Sequence, residues 1–430
     1  MPGSSIAVHP EADSVLRAIT EDAVVGLACA LGNIDSAAGS GGEAEAADFV
    51  YEWMAKEGFT PRKVALMPDR PNVVGRLNGT GTGASLLFNS HLDTSLASDE
   101  LWTSANAADP IYHHAWRSGE HLYGNGVCND KGQMACWLIA CKAIKDAARP
   151  LAGDLVLTAV CGEIEIEAVD EFTAPKYISR ELGTRYAIGK GAIADYALVA
   201  EATGFNLAYV EAGAALVKIT VLAQEPIYSP FVTKRGPQSE NAIVQLAGII
   251  QRIEQWAPAY EDQHRFECDG GTVIPKVNIG AIRSGTPYKM TRTAQQAAAY
   301  VDVRMAPNQS PAAVLREVRS VVDSCGFKTL VELFGYRRGY EARHVEPLSK
   351  AVESAHRAIF NTELGRPQPA ITSMWRDINL FSEAGVPCVM YGPGPSTGFG
   401  NFAIRIADLV SAAKAYALIA LAIADSPPPS

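Results

Sequence analysis

Five residues of this chain could hold a metal ion and use it. They are His91 and Asp93 in "SHLDT", Asp130 in "YGNGVCNDKG", Glu163 in "CGEIEIE" and Glu201 in "AEAT". One imidazole with carboxylates from separate segments makes a mixed nitrogen/oxygen donor set, suited to Zn, Mn, Fe or Co. Asp93 follows His91 by two residues and so lies on the same side of a strand. It would accept the second N–H of the imidazole and fix its tautomer. Glu163 would take a proton from water activated by the ion. Each residue also has a plainer reading: a surface histidine, an Asp130 that caps a helix, and glutamates that are solvated strand ends.

Three apolar runs deliver these residues. "ASLLFNSH", "DLVLTAVCGE" and "DYALVAEAT" read as strands, and each ends in one of the candidates. Between them run helical patterns, "SVLRAITEDAVVGLACALG", "EAEAADFVYEWMAKEGF" and "KGQMACWLIACKAIKDA". Strands that are apolar throughout and alternate with helices predict an α/β fold, a mostly parallel sheet with helices on both faces. Sites on such sheets form beyond the carboxyl ends of the strands, so the candidates are expected to converge.

The pattern changes after about Glu211. "AALVKITVLA" and "AAAYVDVRM" alternate apolar and polar residues, with two amphipathic helices among them. The expected architecture is a catalytic α/β domain over 1–212 and 336–430, interrupted by a smaller α+β domain over 213–335.

With 430 residues, two domains are the default, and 48% apolar against 20% charged residues is a globular composition. A net charge of −10 argues against nucleic acid or an anionic membrane as partner and leaves a small-molecule substrate. The eight cysteines form no CxxC pair and lie mostly in apolar runs, so free thiols are expected. No stretch reads as a secretory signal or approaches the length of a membrane span, which suggests a cytoplasmic location.

In order and spacing, "SHLDT", "YGNGVCNDKG", "GEIEIE" and "AEAT" resemble the zinc-dependent M20 family of aminoacylases, glutamate-releasing carboxypeptidases, acetylornithine deacetylases and desuccinylases. "VNIGAIRSG", "AAAYVDVRMAP" and "GVPCVMYGPG" are similar to that family's lid domain and final strand. By position, the resemblance implies His91, Asp130 and Glu201 as ligands of the first metal, Asp93 as the orienting acid and Glu163 as general base. It also implies a cis peptide at Asp130–Lys131 and a homodimer formed through the inserted lid domain.

Departures from the family pattern are as informative. Ile164 stands where the family has a second-metal glutamate, unless Glu165 substitutes, and Gly398 or a neighbour replaces the last metal histidine. The oxyanion histidine is missing from "LAQEPIYSPFVTKRGPQSENAI", which leaves Tyr228 as the nearest replacement. Arg304 in "YVDVRM" matches the substrate-carboxylate arginine, and Arg376 and Asp377 in "SMWRDINLF" fall in a site-lining segment. The resulting expectation is one divalent ion per subunit, Zn or Mn, hydrolysing a C–N bond in an atypical amide, carbamoyl compound or aromatic amine. A two-metal aminoacylase, deacetylase or peptidase is the alternative, and a silent small-molecule-binding relative the third reading.

Overall fold

The computed structural model describes residues 10–37, 41–95, 109–164, 166–395 and 402–429. Two compact units divide the chain. One comprises Met1–Tyr209, Ala342–Pro367 and Arg376–Ser430, and the other Val210–Glu341 with Gln368–Trp375.

The first unit is built on six strands: β1 (Arg62–Val64), β2 (Asn72–Leu77), β3 (Leu86–His91), β4 (Leu155–Val160), β5 (Tyr196–Val199) and β6 (Cys388–Met390). They lie in the order β1-β2-β4-β3-β5-β6. β3 runs parallel to both β4 and β5, and β6 runs parallel to β5, while β2 is antiparallel to β4. Every residue of β3, β4 and β5 is buried. Burial on both faces is what their unbroken apolar runs require, and each buried Leu or Val contributes about 1.5–3 kcal/mol.

Helices α1 (Glu21–Gly32), α2 (Glu43–Lys56), α3 (Gly132–Asp146), α4 (Glu346–Phe360) and α5 (Ile406–Ala424) belong to the same unit. The Thr20 hydroxyl caps α1 by accepting from the Ala23 amide at 3.3 Å. Trp137 of α3 stacks on Phe88 of β3, with centroids 6.3 Å apart, and donates its indole N–H to the Ser90 hydroxyl at 3.0 Å. This tie fixes α3, and the turn before it, against the strand that carries His91. One expectation fails here. α5 has 19 residues and is long and apolar enough to cross a membrane. Its Leu409, Ala413, Tyr416, Ala420 and Ile423 are buried in the main core, and a helix embedded in a core is apolar all round for that reason.

The second unit carries a four-stranded antiparallel sheet in the order Val277–Ser284, Gln296–Met305, Gly213–Leu222, Thr329–Arg337. Alternate residues Val217, Ile219, Val301 and Val303 form its core together with Ile249 and Ile253 of helix Ala242–Gln263 and Val318 of helix Pro311–Asp323. Residues 368–375, assigned from sequence to the outer domain, join this unit. The Thr372 carbonyl accepts from the Ala212 amide at 3.0 Å, and the Ile274 amide donates to the Ser373 hydroxyl at 2.9 Å.

Candidate metal centre

His91 is the last residue of β3, Glu163 follows β4 by three positions, and Glu201 follows β5 by two. These are the carboxyl ends of three parallel strands. Asp130 lies in the irregular turn Val127–Lys131 that opens α3. His91, Asp130 and Glu201 each offer a ligand atom, and these atoms lie within 4.8 Å of one another. No other such cluster of three occurs among the described residues.

The His91 ring is oriented from behind. Its Nδ1 lies 2.7 Å from the Asp93 carbonyl oxygen, which leaves Nε2 facing the cluster. Glu163 Oε2 and Glu201 Oε1 are each 3.9 Å from that Nε2. Asp130 is fully buried, and burial and the neighbouring Glu201 push its carboxyl well above the usual range, against the lowering pull of His91 and the Ser90 side chain. Gathering buried carboxylates at one point is costly, and a cation resolves the cost. The donor set therefore fits a divalent ion.

Electrostatics agree. Burial alone would push the His91 imidazole down, but Glu163, Asp130, Asp93 and Glu201 outweigh it and hold the ring up to about 10. Below that pH the metal-free ring carries a proton that an incoming ion must displace. Burial pushes the Asp130 carboxyl well above its usual range as well, so Mn2+ or Zn2+ affinity is expected to rise with pH as protons held by His91 and Asp130 are released on binding. Calorimetry in two buffers of different ionisation enthalpy measures the release; binding without proton release would contradict it.

Asp93 acts differently from the expectation. Its carboxylate is 3.7 Å from His91 Nδ1, beyond hydrogen-bond range, and the backbone carbonyl takes the ring proton instead. The carboxylate is turned to the loop after β4, where it accepts from the Glu163 amide at 3.1 Å and the Ile164 amide at 2.8 Å. Those amides have left the sheet and need buried acceptors, which is why the acid faces them.

The whole loop is held in this way. The Cys161 amide donates to Asn72 Oδ1 at 3.0 Å and the Gly162 amide to Glu43 Oε1 at 2.9 Å. The Ser179 hydroxyl reaches the carbonyls of Gly162 and Ile164 at 2.9 and 2.8 Å. Glu43 is itself paired with Arg70, both buried. Gly162 adopts φ +66°, and a Cβ there would come 2.5 Å from the Ser179 carbonyl oxygen, so no other residue fits without displacing the loop. Arg180 completes the setting, 3.6 Å from Glu163 Oε1.

Other candidates lie at varied depths. Arg376 Nε is 3.4 Å from Glu201 Oε2. Asp377 is buried and accepts from Asn89 at 2.9 Å and Thr184 at 2.6 Å, joining the floor of the sheet. Arg304 and Tyr228 belong to the second unit, where Arg304 pairs with Asp302 at 2.8 Å and Tyr228 is 48% exposed. The cis peptide lies at Asn129–Asp130, one residue earlier than expected. Glu165 and Gly398 fall outside the described residues. His356, the last histidine, is satisfied in the core by Tyr391 at 2.8 Å and Thr362 at 3.1 Å. All eight cysteines are free.

The fold and this constellation agree with a sequence match to peptidase family M20/M25/M40 over residues 87–422. The chain belongs to that family. As an M20 member it is a metal-dependent hydrolase of C–N bonds. This M20 chain is 26% identical over 378 residues to the N-formyl-4-amino-5-aminomethyl-2-methylpyrimidine deformylase of Bacillus subtilis (strain 168), covering 80% of this chain and 82% of the relative. It is also 26% identical over 360 residues to the acetylornithine deacetylase of Myxococcus xanthus, with 81% and 83% covered. Human carnosine dipeptidase 1 shares its fold, with a TM-score of 0.69 at 15% identity over 97% of this chain and 99% of that one.

Proposed function

We propose that this M20 hydrolase cleaves a C–N bond in a small molecule, an N-acyl, carbamoyl or aromatic amine compound, with one divalent ion held by His91, Asp130 and Glu201. The supporting observation is the convergence of those three buried side chains, two from adjacent strand ends and Asp130 from the turn that opens α3, with ligand atoms within 4.8 Å of one another. When bound, Zn or Mn supplies Lewis acidity and lowers the pKa of water. Glu163, 3.9 Å from the ligand nitrogen of His91, is the general base. It takes a proton from the attacking water as the oxygen joins the carbon, and delivers that proton to the nitrogen as the C–N bond breaks. Arg376 holds Glu201, and Asp93 holds the Glu163 loop.

The deformylase and the deacetylase both remove small acyl groups, which favours an N-formyl or N-acyl compound as substrate. Arg304 is proposed to hold a substrate carboxylate and Tyr228 to stand in for the oxyanion histidine. The smaller unit is proposed as lid and homodimer interface, and the enzyme as cytoplasmic, consistent with its free thiols.

Ile164 beside Glu163 supplies no second-metal carboxylate, which favours a single ion. Metal analysis of dialysed protein is expected to give about one tightly held ion per chain. A screen of N-formyl, N-acetyl, carbamoyl and aromatic amine compounds is expected to show turnover that depends on added Mn2+ or Zn2+. Two tightly held ions would overturn the one-ion reading, and full turnover after complete metal removal would overturn the mechanism.

A further inference from the structure

We infer that Arg180 is a positioning residue that serves as a fixed second cation of the metal centre: its guanidinium holds one oxygen of Glu163 and closes the site to a second ion. The inference rests on the proposal that this site holds one divalent metal. Glu163 stands between two partners. Its Oε2 is 3.9 Å from His91 Nε2, on the side of the ligand cluster, and its Oε1 is 3.6 Å from Arg180 Nη1. Glu163 and Arg180 are both buried. At that depth a carboxylate needs an opposite charge close by, and the guanidinium supplies it without a second metal.

The fold fixes Arg180 in this place. The Ser179 hydroxyl donates to the carbonyls of Gly162 and Ile164, one on each side of Glu163. The Leu182 carbonyl accepts from Asn72 Nδ2 at 2.6 Å, and the Ile178 carbonyl accepts from the Arg70 guanidinium. Asn72 also accepts from the Cys161 amide, so one scaffold carries both the base and its counter-charge.

The charges of the interior agree. Among the described residues of this unit six acids are buried: Glu43, Asp93, Asp130, Glu163, Glu201 and Asp377. Four cations are buried with them: Arg70, Lys131, Arg180 and Arg376. With the His91 ring neutral, as ligation requires, the excess is the negative charge that one divalent ion neutralises. A second ion would leave the interior positive, and Ile164 adds no carboxylate to hold it against the guanidinium.

Calorimetric titration with Mn2+ and electron paramagnetic resonance of the Mn2+-loaded protein test the inference. The samples are wild type, Arg180→Lys, Arg180→Gln, Arg180→Gln combined with Glu163→Gln, and Ile164→Glu. Wild type and Arg180→Lys are expected to bind about one ion per chain and to give the spectrum of an isolated ion, because a cation remains beside Glu163. Arg180→Gln is expected to bind about two, the second more weakly and with an exchange-coupled spectrum, because the Glu163 carboxylate has lost its partner. Adding Glu163→Gln is expected to return the count to about one. A folded Arg180→Gln that still binds one ion, or a second ion that survives the Glu163→Gln change, would overturn the role of Arg180 and leave the one-ion reading standing. Two ions or none in wild type would overturn that reading itself. Ile164→Glu leaves Arg180 in place and decides the matter even where Arg180→Gln fails to fold: it is expected to hold one ion, and a second ion there would overturn the inference.

Discussion

Glu163→Gln is expected to lower turnover by about 10²- to 10⁴-fold while one ion stays bound per chain. The separation of the two effects is what makes the test decisive. Glu163 stands outside the three-residue ligand cluster, so its loss leaves the donors of His91, Asp130 and Glu201 in place. Glutamine keeps the size of the side chain, and the loop is held through main-chain amides that the substitution does not touch. What disappears is the ability to accept a proton. Burial pushes the Glu163 carboxyl above the usual range, with Arg180 and His91 pulling it back. A raised value suits a base that works near neutrality, and it fixes the sign of the pH profile: activity falls as pH drops through the raised value and the carboxylate becomes protonated. Steady-state rates across pH and metal analysis of the same preparation measure both halves. A variant that turns over as wild type would remove Glu163 from the chemistry. A variant that loses its ion would make Glu163 a ligand.

The metal cluster was legible in the sequence because strand runs are local. "LLFNSH", "LVLTAVCGE" and "YALVAE" each show where an apolar stretch ends, and a parallel sheet gathers such ends into one place. The direction of a side chain beyond a strand is a different matter. Spacing placed Asp93 beside the His91 ring, yet its carboxylate bonds to amides 70 and 71 residues later in the chain, and only the carbonyl meets the imidazole. The same limit hid Asn72, Glu43, Arg70 and Arg180. Asn72 and Glu43 reach the Glu163 loop across 89 and 119 residues and Arg180 across a shorter stretch, and as lone residues all four carry no periodicity or motif to mark them. α5 shows a different error: no run was expected to approach a membrane span, yet this 19-residue helix is long and apolar enough for one because it is embedded in the main core.

The buried pair of Glu43 and Arg70 should be the most sensitive structural point near the site. Replacing either partner by alanine is expected to cost about 3–5 kcal/mol, because it strands the other charge in the interior. That is a large part of the roughly 5–15 kcal/mol by which a domain is stable. Both side chains have further duties that raise the stakes: Glu43 also accepts from the Gly162 amide at 2.9 Å, and the Arg70 guanidinium also donates to the Ile178 carbonyl. The pair therefore links the start of α2, the segment before β2 and the loop that carries Glu163. Removing both charges with Glu43→Leu and Arg70→Met should cost less than either single change, since no unpaired charge remains, although the Gly162 amide then loses its acceptor. The exposed pair of Lys63 and Asp48 is the control, and its loss should cost no more than about 1 kcal/mol. Urea titrations of metal-free protein, followed by tryptophan fluorescence, measure all four variants without metal binding masking the differences. If Glu43→Ala shifts the midpoint no more than the surface control does, the pair is not under the desolvation that its burial implies, and the Glu163 loop must be held chiefly by Asp93, Asn72 and Ser179.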